Sequence, residues 1–133
     1  MTCLASPFAH RWFVVVVFLA SVSCSNYVSG PETSGPCTTD VSVTVSAGTT
    51  PTFTWTPACR VIGLLVEEGA SDRWLLEATG AGIAPGVTYG SVPAGASEDA
   101  PAIPLVSGTT YEVILSRGTP ANATRAAIEE FTP

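Results

Sequence analysis

The 133-residue chain contains no lysine, and its only histidine, His10, lies ahead of its one long apolar run. The body that follows therefore lacks the commonest general base and the commonest zinc ligand. Positive charge is scarce as well. Beyond Arg11 there are 4 Arg against 11 Asp and Glu, a balance of −7, compared with −6 for the whole chain. Nucleic acid is excluded as a partner, because phosphate contacts need clustered Lys or Arg. No serine sits in a nucleophile motif, and the expectation is a non-enzymatic protein with no cofactor and no metal.

What the sequence does have is a strongly apolar start. Residues 1–24 carry the parts of a secretory signal. A short leader ends in His10 and Arg11, an apolar core follows (Trp12, Phe13, Val14, Val15, Val16, Val17, Phe18, Leu19), and the small residues Ser21 and Ser23 come after it. Three fates are open. The segment is cleaved and the body released, or cleavage before Cys24 leaves a lipidated cysteine, or the segment stays as an anchor helix. Ser21 departs from the Leu or Val usual three residues before a lipidated cysteine. As an anchor, the 17 residues from Trp12 to Val28 make ~25 Å of helix at ~1.5 Å per residue, the short end for a hydrocarbon core of ~30 Å. In every case Arg11 stays cytoplasmic and the bulk is exported, periplasmic or extracellular. Residues 25–36, "SNYVSGPETSGP", read as a flexible linker.

From residue 37 the apolar pattern has period two, the mark of half-buried strands. "DVSVTVS" sets Val41, Val43 and Val45 on one face, and "TFTWTP" sets Phe53 and Trp55 on one face. "VIGLLVEE" is more apolar and reads as a central strand. "DRWLLEAT" is a strand with Trp74, Leu76 and Ala78 on one face; "GVTYGSVP" and "AIPLV" are short edge strands bounded by Pro. "TTYEVILS" alternates Tyr111, Val113 and Leu115 with Glu112, Ile114 and Ser116, and "AAIEEFT" closes the chain. Seven or eight short strands separated by Gly, Pro, Ser and Thr predict an all-β fold, an antiparallel β-sandwich over residues 37–133.

Two stretches resemble the fibronectin type III family, an immunoglobulin-like sandwich also found in bacterial exported proteins. "PTFTWTPACRVIGLLVEE" is similar to that family's second and third strands, with Trp55 as the core tryptophan followed by Thr56 and Pro57. "LVSGTTYEVIL" resembles its penultimate strand through Leu105, Gly108, Thr109, Tyr111 and Val113, with Ser107 in place of Pro. The resemblance implies that Tyr111 bonds back to nearby backbone at the strand's start. It implies a fold and no chemistry, since such domains serve as spacers and binding modules. Residues 78–102 are longer and richer in Gly and Pro than the family's usual connection.

Cys37 and Cys59, both on the exported side, are expected to form a disulfide. The acidic pairs Glu67-Glu68, Glu98-Asp99 and Glu129-Glu130 read as solvated surface; Glu98-Asp99, in an expected flexible loop, is a weak calcium candidate. Trp74 and Tyr89 flank the Gly/Pro-rich middle and would form an interaction surface if exposed. Asn122-Ala123-Thr124 matches the N-glycosylation pattern and reads as a chance match. The first expectation is thus a membrane-tethered β-sandwich acting as an accessory subunit, docked on the exported face of a larger membrane assembly. The alternative is a surface lipoprotein that binds a carbohydrate or small ligand through its middle loops.

Overall fold

The computed structural model describes residues 35–133. The expected N-terminal helix, Cys24 and most of the linker lie outside the described residues. Eight strands follow one another: β1 (Ser42–Val45), β2 (Thr52–Thr56), β3 (Gly63–Glu68), β4 (Ser71–Ala78), β5 (Val87–Thr88), β6 (Ala96–Ala100), β7 (Tyr111–Thr119) and β8 (Asn122–Phe131). They form two antiparallel sheets, one ordered β1-β2-β5 and the other β6-β4-β3-β7-β8. The fold is all-β and sandwich-like, with β3 central in the larger sheet.

Alternation explains which side chains meet between the sheets, since successive residues of a strand point to opposite faces. Phe53 and Trp55 of β2, Leu64 and Val66 of β3, Trp74 and Leu76 of β4, and Tyr111, Val113 and Leu115 of β7 are all buried in one core. Phe131 closes it at one end, its ring edge-on to Phe53 at 5.6 Å and tilted on Tyr111 at 5.8 Å. The Tyr111 hydroxyl accepts the Val106 N–H at 2.9 Å. This is the backward bond from the strand's start that the resemblance implied.

Three sequence expectations need correction. "AIPLV" is not a strand, because Pro101 and Pro104 have no N–H to give to a ladder. That segment is held instead by an Ile103 N–H bond to the Arg73 carbonyl at 2.9 Å and by burial of Leu105. "GVTYGSVP" contributes only the two residues of β5. Glu98 and Asp99 sit in β6, paired with the edge of β4, and not in a flexible loop.

The pairing directions separate two ends of the sandwich. The β1–β2 and β3–β4 turns and the C-terminus lie at one, where the Gly108 N–H meets the Pro133 carbonyl at 3.1 Å. The β2–β3 loop, the β7–β8 turn and the point where the described chain enters lie at the other. There the Arg60 N–H donates to the Gly35 carbonyl at 3.0 Å, the Cys37 N–H donates to the Arg60 carbonyl at 2.8 Å, and Pro36 bridges to Arg60. Gly35 and Pro36, the last two residues of the expected linker, are thus paired with the β2–β3 loop.

Cys37 and Cys59 are disulfide-bonded across a sequence separation of 22 and are both buried. The carbonyl of Cys59 also accepts the Trp55 indole N–H at 2.8 Å, so the bond joins the chain's entry to the core tryptophan. Closing a loop of that length stabilises the fold by about 3 kcal/mol in the chain-entropy account. The double variant Cys37→Ser/Cys59→Ser should lose about that much in urea unfolding, and a loss below about 1 kcal/mol would contradict the assignment.

Candidate functional site

Trp74 and Tyr89, the expected interaction surface, are buried at 0% and 5% exposure, so the exposure on which that expectation rested is not met. Their rings pack edge to face at 5.1 Å. The Trp74 indole N–H donates to Glu98 Oε1 at 2.8 Å, which gives half of the supposed calcium pair a structural partner. The Tyr89 hydroxyl points between the carbonyls of Ile103 at 2.7 Å and Arg73 at 3.1 Å. Both rings are held inside because each polar tip finds an acceptor at the edge of the core.

Burial pushes the Tyr89 hydroxyl up to about 12, with the neighbouring Tyr111 adding to the rise and the Arg73 guanidinium and the bond to Ile103 opposing it. A phenol in the unfolded chain ionises near 10, so the folded state holds its proton longer. This contribution to stability is complete below about pH 10 and is lost as the pH rises from there towards about 12. Urea midpoints measured at pH 9, 10, 11 and 12 should fall more steeply for the natural protein than for Tyr89→Phe. Parallel profiles would contradict this.

The outer side of the five-stranded sheet presents a second arrangement of apolar and charged side chains. Register there runs Ala100↔Leu75↔Leu65↔Ile114↔Ile128, an apolar row crossing all five strands. Leu65, Leu75 and Ile114 are only partly buried, and Ile128 is 43% exposed. Two residues along, the register runs Asp72↔Glu67↔Glu112↔Glu130, four carboxylates side by side on four strands. Residues directly opposite in such pairs have Cβ atoms about 4.5–5.5 Å apart, and like charges there repel. The nearest candidate counter-ion, Arg73, stands at the β3–β4 register shift and pairs with Glu68 instead. Among the described residues, none of the four carboxylates has an ion pair.

On the opposite flank of the apolar row the register runs Ser97↔Glu77↔Gly63↔Ser116↔Arg125. Gly63 has no side chain there, and a groove of about 360 Å³ opens over it, walled by Leu75, Glu77, Ser116, Pro120 and Ala123. A Cβ at Gly63 would meet the Leu76 carbonyl and Ser116 Cβ at 3.6 Å, ordinary contact, so nothing among the described residues requires glycine there. Glycine within a strand weakens it, and one use of such a residue is to let another molecule approach closely.

Of these outer-face residues the sequence singles out only Glu67 and Glu130, both as solvated surface, although a signal for the face exists. In "GLLVEE" and "YEVILS" apolar residues also occupy outward positions, Leu65 and Ile114, where an exposed sheet face would show polar ones. Gly63→Ala should stabilise the domain by about 0.5–1 kcal/mol by removing backbone freedom. Glu112→Gln should stabilise it by about 0.2–1 kcal/mol by relieving two like-charge contacts, a gain that shrinks with added salt. Chemical unfolding of both variants checks this, and destabilisation by either would contradict the assigned geometry.

No protein-family model matches the chain, and no curated protein and no solved structure matches it either.

Proposed function

We propose that the chain is a non-enzymatic, membrane-tethered β-sandwich module exported from the cytoplasm, which docks as an accessory subunit on a larger membrane assembly. The observation that carries the docking is the apolar row Leu65, Leu75, Ile114 and Ile128 on a sheet face that no other part of the described chain covers. A contiguous apolar strip left partly open to solvent is the kind of surface that protein interfaces use. Export draws support from the apolar segment Trp12–Leu19 and from the Cys37–Cys59 bond, which persists in an oxidising compartment.

Kinship with fibronectin type III or immunoglobulin-like domains is part of the same reading. In the immunoglobulin arrangement the first, second and fifth strands share one sheet, and the third and the last two share the other. Here β1, β2 and β5 pair together, while β3, β7 and β8 do so in the second sheet, with β4 and β6 added beside β3. The bond from Val106 to Tyr111 supports the likeness. Sugar binding through Trp74 and Tyr89 loses its support, because both rings are buried.

Extraction of native membranes in mild detergent should bring the chain out with stoichiometric partner subunits. Intact mass and N-terminal sequencing should give either a start at Met1 or a lipid on Cys24. A monomeric extract would overturn the docking, and an unmodified, freely soluble body would overturn the tether.

A further inference from the structure

We infer that the outer face of the five-stranded sheet docks a partner protein whose contact surface has an apolar centre edged on one side by lysine or arginine, with one side chain seated in the groove over Gly63. The inference rests on the docking reading above and adds to it the face used and the chemistry of the occupant.

Three features of that face converge. The apolar row supplies an interface centre, where charged residues are usually depleted. The row Asp72, Glu67, Glu112 and Glu130 opposes like charges across three strand pairs, a cost to the isolated domain that a basic partner would turn into attraction. The glycine at Gly63, which nothing among the described residues requires, leaves a groove beside Leu75 for a side chain of the partner.

The same charges decide against other occupants. A second copy of this acidic chain brings no lysine and few arginines to meet the carboxylates. The chain's own first 34 residues offer His10, Arg11 and the terminal amine as cationic groups, with Glu32 against them, and no clustered lysine or arginine. A membrane surface of anionic lipid would repel the row. A separate protein with clustered cations remains, and its docking should weaken as salt rises.

The absence of lysine makes this directly testable. A zero-length carbodiimide joins a carboxylate to an amine, and the full chain has no amine of its own beyond its terminus. On native membranes containing the full-length protein, such cross-links should join Glu112 and Glu130 to lysines of a partner, with yields several-fold above those at Asp40 and Asp99. Glu112→Lys and Gly63→Val should each lower partner retention in mild detergent at least tenfold while the domain stays folded, and Thr54→Val on the outer face of the other sheet should leave it unchanged. If a partner is retained but its cross-links fall on Asp40 or Asp99, or if Glu112→Lys leaves retention intact, this inference fails and the docking reading stands. If no partner is retained by the natural protein, both fail. Cross-links between two copies through the chain terminus alone would also overturn the inference.

Discussion

The register between β3 and β7 governs both faces of the larger sheet. Leu64 and Val66 must meet Leu115 and Val113 in the core, and with a side-chain period of two this fixes every other residue of the two strands. A slip of one residue would turn the buried side chains of one strand outward, Leu64 and Val66 of β3 or Tyr111, Val113 and Leu115 of β7. The register that satisfies the core therefore also dictates the outside, where it aligns Leu65 with Ile114 and Glu67 with Glu112. The acidic row is in this sense a consequence of the core, since nothing on the outer face itself favours four carboxylates in line. β4 and β8 extend the pattern because they pair with β3 and β7 through the same ladder.

Two irregularities modify that ladder in ways that matter. At the β3–β4 register shift, Arg73 pairs with Glu68, and its carbonyl accepts bonds from the Tyr89 hydroxyl and the Ile103 N–H. One residue thus ties the proline-rich strap before β7 to the edge of the core while leaving the acidic row without its nearest cation. At the β7–β8 shift Ala126 falls between the paired residues, is buried, and offers its carbonyl to the Val41 N–H at 2.9 Å. That bond joins the start of the smaller sheet to the edge of the larger one. The disulfide completes the closure by fixing the entry of the chain to the loop between β2 and β3.

These restraints also give the domain a direction. The chain enters at the end that carries the disulfide and the β7–β8 turn, and the groove over Gly63 opens towards that end through Pro120 and Ala123. The acidic row lies nearer the far end, by the β3–β4 turn. On the proposed tethered reading, a partner contacting the outer face meets the groove on the tether side and the carboxylates away from it. The smaller sheet presents Ser42, Thr44 and Thr54 outward, which suits it to water.

By itself the sequence determined the all-β class, the strands around Val43, Trp55, Leu64, Trp74 and Val113, the disulfide and the position of Tyr111, because alternation and turn chemistry are local and strong in these stretches. It also determined the absence of lysine and of histidine beyond His10, which limits the available chemistry whatever the fold. Tertiary structure alone decided that "ASEDA" is a strand, since β6 takes its order from pairing with β4 and has no apolar period of its own. It decided that Trp74 and Tyr89 are interior, because the Trp74 tip finds its acceptor in Glu98 and the Tyr89 tip in the carbonyls of Ile103 and Arg73, each far in sequence from the ring it holds. The alignment of Asp72, Glu67, Glu112 and Glu130 beside an apolar row was equally out of reach of a linear reading. It is a property of inter-strand register, and register is set by which side chains the core can accommodate together.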